Sequence, residues 1–117
     1  MEKEFIPFPQ SSALKELGFD EPCFVYYRKS NENKLAYPNT GVAKNSLSIN
    51  GITAPTFSQA FRWFREKGYD VKIAKESPGL YFGFYWTGAA WVNIAAGTYE
   101  SVELDLINRL ITEVKKI

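Results

Sequence analysis

Between residues 80 and 96 large apolar side chains alternate along the chain. Leu80, Phe82, Phe84 and Trp86 occupy even positions, and Tyr81, Gly83 and Tyr85 the odd ones. After Gly88, Val92, Ile94 and Ala96 alternate with Trp91, Asn93 and Ala95. A period of two marks β-strands, so the segment reads as an antiparallel hairpin. The even face, being the larger and more apolar, is expected in the core. Burying both even faces together requires Trp86 opposite Val92 and Phe84 opposite Ile94, around a three-residue loop; a tighter two-residue loop would set Asn93 opposite Phe84 and turn one arm over.

Elsewhere the spacing is helical. Phe57, Ala60, Phe61 and Phe64 fall at i, i+3, i+4 and i+7, behind Thr56-Phe57-Ser58-Gln59, which matches the capping box; Gly68 supplies the stop. Val102, Leu106, Leu110 and Val114, with Leu104, Ile107 and Ile111, form a wide stripe after the cap Thr98, flanked by Glu100 and Glu103 early and by Lys115 and Lys116 late, as the helix dipole favours. A short helix is expected from Ser11 or Ser12 through Leu17, closed by Gly18. The prolines of Phe5-Ile6-Pro7-Phe8-Pro9 suggest an extended edge segment.

Cys23-Phe24-Val25-Tyr26-Tyr27 and Leu35-Ala36-Tyr37 read as strands joined by a turn at Ser30-Asn31-Glu32-Asn33. Residues 38–55 are polar and small, with Leu47 and Ile49 alternating as in a brief strand. Tyr69, Val71 and Ile73 alternate as in a half-buried strand ending at the turn Ser77-Pro78-Gly79. The predicted order is helix, two strands, helix, three strands, helix. This gives an α+β fold, with an antiparallel sheet of about four or five strands, two main helices packed on one face and a short N-terminal helix. The 117 residues are expected to form a single compact domain.

Charge is balanced: 14 basic and 13 acidic residues give +1, with no basic arm or acidic tail. No apolar run reaches the length of a membrane span, and the acidic N-terminal residues do not resemble a signal-peptide core. A cytoplasmic location is expected. Histidine is absent and Cys23 is the only cysteine. Catalytic triads, Cys-His pairs, His-containing zinc sites and an internal disulfide therefore have no residues to build them. Cys23 opens an apolar strand and reads as a small core hydrophobe. Neither G-x-x-x-x-G-K-[ST] nor G-x-G-x-x-G occurs. Glu100, Glu103 and Asp105 read as a solvated helix face, and Asp20 with Glu21 as a turn. No catalytic residue, metal or cofactor is assigned.

Two surfaces remain as candidates. The odd-numbered hairpin face, with Tyr81, Tyr85, Trp91 and Asn93, is expected to bind a partner unless the segment at 5–9 or the loop at 39–55 covers it; exposed aromatics suit a protein partner, self-association or base stacking. Ser58, Arg62 and Arg65 share an outward helix face able to reach anions, or else Arg62 pairs with Glu66 and covers the rim of the core.

The run Ala54-Pro55-Thr56-Phe57-Ser58-Gln59-Ala60-Phe61-Arg62-Trp63-Phe64-Arg65-Glu66-Lys67 resembles a family of small proteins found in Bacteroides-type gut bacteria and in their phages and mobile elements. Leu14-Lys15-Glu16-Leu17-Gly18-Phe19-Asp20-Glu21-Pro22-Cys23-Phe24 upstream and Thr98-Tyr99-Glu100 downstream extend the resemblance over most of the chain. That family has no established activity, so the resemblance implies a setting, an intracellular accessory protein of phage or mobile-element growth. The expected function is a small non-enzymatic interaction module binding a protein or itself through an aromatic sheet face. A weak single-stranded nucleic-acid binder and an enzyme of unrecognised class are the alternatives.

Overall fold

A computed structural model describes residues 4–28, 31–38, 41–47 and 51–116, with the side chains of 31–33 and 47 outside the description. The fold is α+β, with three helices and two three-stranded antiparallel sheets in place of the single sheet expected. The chain divides into two compact units, residues 1–57 and 58–117.

In the first unit, helix α1 (Phe8–Glu16) starts before Ser11, the expected cap. Pro7 takes the N-cap and Pro9 the first turn, where a missing N–H leaves no bond unmade. The two prolines thus open a helix, while the residues before them lie extended as expected, Phe5 bridging Thr56 and Ile6 N donating to Pro55 O at 2.8 Å. Ser11 lies buried inside it, and its hydroxyl donates to the Ile6 carbonyl at 3.0 Å. The Tyr27 phenol donates to the same carbonyl at 2.9 Å, tying the helix entry to the sheet.

That sheet has the order β2-β1-β3, with β1 (Val25–Arg28) between β2 (Asn31–Ala36) and β3 (Gly51–Ala54). Asn31, Glu32 and Asn33, expected in the turn, belong to β2, and Ser30 lies outside the described residues. Val25, Tyr27 and Ala54 form the core cluster, against which Phe5, Phe8 and Leu35 pack. Cys23 is buried and its backbone pairs with Ala43.

The polar segment carries a 3-10 turn at Asn45–Leu47, so Leu47 is not in the strand expected of it; Ile49 lies outside the described residues. Asn45 explains the order there. It is buried, its Nδ2 donates to Phe19 O at 2.8 Å, and its Oδ1 accepts from Thr53 N at 3.0 Å. One amide side chain thereby satisfies two backbone groups that would otherwise be buried unpaired.

Helix α2 (Phe57–Glu66) begins directly after Thr56, where the capping box places it. Phe57, Ala60 and Phe64 are buried, as their spacing predicts, and Trp63 is buried too. Gly68 closes α2 as Gly18 closes α1, with φ near +93° and +95°. The bonds Gly68 N to Arg65 O and Tyr69 N to Phe64 O repeat as Gly18 N to Lys15 O and Phe19 N to Leu14 O, the Schellman pattern.

The second unit holds β4 (Val71–Ser77), β5 (Leu80–Trp86) and β6 (Trp91–Gly97) as an antiparallel meander, and α3 (Tyr99–Lys115) packs on it. Thr98 caps α3 by accepting from Ser101 N at 3.2 Å. Val102 and Leu106 meet Ala95 in the core cluster, which Phe61, Val71, Ile73, Tyr81 and Ile94 complete. Through Phe61, α2 packs on the same cluster as α3.

Candidate functional site

The register of β5 decides which side chains face α3, and it reverses the expected parity. The loop between β5 and β6 is the tight one: Thr87 N donates to Ala90 O at 3.0 Å across Gly88 and Ala89. Thr87 stitches this turn, its Oγ1 accepting from Ala89 N and Ala90 N at 3.3 and 3.2 Å and donating to Ala90 O at 3.1 Å. Gly88 takes φ +97°, a conformation that tight hairpin loops require of a residue without a Cβ. Trp86 therefore pairs with Trp91, and Phe84 with Asn93.

One residue later the register shifts: Gly83 pairs with Ala95, leaving Ile94 as a bulge. Asn93 supports the bulge, its Oδ1 accepting from Ala95 N at 3.2 Å. Directly opposed residues share a face, so Tyr81, Gly83 and Tyr85 look toward α3 with Ala95. Phe82, Phe84, Trp86, Trp91 and Asn93 look the other way.

The reason is steric. A Cβ on Gly83 would stand 2.7 Å from Val102 Cγ1 and 3.2 Å from Leu106 Cγ. The bare glycine makes the trough into which α3 settles, and the bulky even positions would hold the helix away. Tyrosines on either side of that trough keep their polar ends at its margins. Tyr85 is only 5% exposed, and its phenol donates to Glu113 Oε1 at 3.2 Å. Arg109 lies over the Tyr85 ring at 5.5 Å and 3.6 Å from Glu113. Burial, then the adjacent Glu113 carboxylate, raise the Tyr85 phenol above its ordinary value. Lys116, bonded to Glu113 at 2.8 Å, is the main reason that carboxyl sits below its usual range. Tyr81 meets Tyr99 edge-on at 5.3 Å.

Four residues expected on one surface are thus divided. Tyr81 and Tyr85 belong to the interface with α3, whereas Trp91 and Asn93 stand on the open face. That face carries three rows. Trp86 and Trp91 pack at 5.3 Å with planes tilted by 56°. Lys72, Phe84 and Asn93 form the next row, with the Lys72 ammonium 4.5 Å from the Trp91 ring centroid and 5.2 Å from that of Phe84. Ala74, Phe82 and Ala96 form the third. Ala74, Ala96, Lys72 and Asn93 are exposed, Trp91 is 38% exposed, and Phe82, Phe84 and Trp86 are half-buried among their neighbours. Exposed alanines on both sides of Phe82 mark a face open to solvent.

Sequence spacing misses Lys72, Phe82, Phe84 and Trp86 as members of this surface. The signals that point to them are Thr87-Gly88, which favours a tight turn, and a glycine amid aromatics in a strand, which marks a close backbone approach. Ser58, Arg62 and Arg65 are exposed on α2. Since Phe61 packs α2 on the same cluster as α3, these residues do not join the aromatic face.

Among the described residues Glu103 is the carboxyl displaced far upward, to about 6 from 4.5, by burial first and by the charge of Glu100 second. A raised carboxyl binds its proton more tightly in the folded chain. It therefore stabilises most fully below about pH 4.5, and this contribution is lost as pH rises toward 6. The displacement corresponds to at most about 2 kcal/mol, and solvent screening of this half-buried group lowers it to roughly 1 kcal/mol. Glu103→Gln is expected to raise stability by that amount at pH 7 and to leave it unchanged at pH 4, as read from urea unfolding at the two pH values.

Among the described residues no three His, Cys, Asp or Glu side chains converge as a metal site, and no helix is long and apolar enough to cross a membrane. Comparison with protein-family models, curated proteins and solved structures finds no match.

Proposed function

We propose that the chain is a non-enzymatic interaction module whose binding surface is the open face of the β4–β6 sheet. The observation that carries this reading is the placement of Phe82, Phe84, Trp86 and Trp91 away from α3, beside alanines that remain exposed. A partly exposed aromatic cluster on the sheet face that carries no helix is a surface suited to a partner, and aromatic enrichment marks the centres of binding surfaces. The absence of histidine and the burial of the one cysteine support a binding role over a catalytic one. In the intracellular setting implied by the resemblance to proteins of bacteria, phages and mobile elements, such a module acts as an accessory factor.

The test introduces charge at the small exposed positions. Ala74→Glu with Ala96→Glu is expected to abolish association, measured by sedimentation of the chain alone and by binding to candidate partners, without lowering the unfolding midpoint. Association that survives both changes in a folded variant removes this face from the function.

A further inference from the structure

The size and chemistry of the open face narrow its partner. Three strands about 4.8 Å apart, each presenting about seven residues at 3.3 Å, give a face of roughly 200–300 Å². A standard protein interface takes about 800 Å² from each partner. The flat extent of the face is below that, and it suits a short extended segment.

A peptide and a single strand of nucleic acid make different demands on such a surface. Peptides bind sheets along an edge, where free backbone N–H and C=O groups pair with their own. On the face, those groups of β5 are engaged in the ladders to β4 and β6. What it offers is rings. Bases stack on rings and leave their backbone in water, so they need no backbone partners from the protein.

Charge points the same way. Lys72 is the one basic side chain at the register positions of this face, and its ammonium lies over Trp91 and Phe84 at 4.5 and 5.2 Å. Among the described residues no carboxylate forms an ion pair with it. Asp70, at the corner beside Trp86, is turned back to accept from Val71 N at 2.8 Å. A cation set among stacking rings matches an anion carried beside planar groups, which is the chemistry of a phosphodiester next to its bases.

We propose that the open face binds a short single-stranded nucleic-acid segment, with bases stacked on Phe84, Trp86 and Trp91 and a phosphate at Lys72. This rests on the reading of that face as the binding surface. Because one cation is involved, stacking carries the affinity, and salt dependence is shallow, a logarithmic slope of about −0.7. A near-neutral chain is compatible with binding of this kind.

The experiment titrates the full chain into a fluorescein-labelled oligothymidylate, following anisotropy and tryptophan quenching between 20 and 200 mM salt, about a tenfold range. Saturable binding is expected. Trp91→Ala should weaken it about tenfold, and Lys72→Gln should flatten the salt dependence while retaining binding. Arg62→Gln with Arg65→Gln should change neither. Thermal unfolding of each variant shows that the fold is kept. No binding at the lowest salt, binding indifferent to Trp91→Ala, or binding lost with the two arginines overturns the proposal. If oligonucleotide binding is absent while Trp91→Ala abolishes self-association or binding to a protein, the nucleic-acid assignment fails and the face remains the binding surface. If no association depends on the face, both fail.

Discussion

Serine in place of Tyr85 is expected to cost about 3–5 kcal/mol of stability, and serine in place of Trp91 about 1 kcal/mol. Tyr85 is packed against α3, so its truncation removes most of an aromatic ring from the interior and strands Glu113 and Arg109 without their shared partner. Trp91 is 38% exposed and loses chiefly its contacts with Trp86 and the Lys72 ammonium. Urea unfolding of the two variants reads the difference directly. Equal losses would mean that the two residues share a face and that the register is wrong. Tyr85→Phe separates the ring from its hydroxyl and is expected to cost only about 1 kcal/mol, the usual net value of one hydrogen bond.

The second large effect is expected at Gly83. A methyl group there would press on Val102, whose β-branched side chain in a helix has essentially one rotamer and cannot swing aside. Gly83→Ala is expected to destabilise by about 1–3 kcal/mol, although alanine elsewhere in a strand would gain up to about 1 kcal/mol over glycine. Gly83→Val should prevent α3 from docking. The compensating double variant Gly83→Ala with Val102→Ala is expected to recover part of the loss, because it returns the space the new methyl occupies. No recovery would show that the backbone itself, and not crowding against Val102, requires glycine.

Elements specified by near neighbours in the chain are legible in the sequence alone. Thr56 with Gln59 and Thr98 with Ser101 lie within one turn of each other, and the stripes they introduce are intrinsic to their helices. Turns closed by Gly18 and Gly68 are equally local. The hairpin faces were not legible, because aromatic residues occupy both parities of β5 and hydrophobicity cannot choose between them. The choice is made by Thr87, which tightens the loop, and by Gly83, which only a helix 19 residues downstream, at Val102, can explain. Asn45 has the same character: its partners Phe19 and Thr53 lie 26 and 8 residues away, and its own neighbours in sequence do not signal a buried amide. As a result Tyr81 and Tyr85, expected on one surface with Trp91 and Asn93, lie against α3 instead.

The bulge at Ile94 separates what the two ends of β6 must conserve. Beyond it, Ala95 and Gly97 are held in register with Gly83 and Tyr81, and so with the seat of α3. Before it, Trp91, Val92 and Asn93 answer to the turn, to the other arm of the hairpin and, at Trp91, to the Lys72 ammonium. The extra residue works as a slack joint, absorbing a change of register at the tip without passing it to the helix. Substitutions at the exposed Ala89, Ala90 and Val92 should accordingly be tolerated, and those at Ala95 and Gly97, which are in register with the seat of α3, rejected. The hairpin tip could then diversify its ligand among relatives while the body that carries it stays the same.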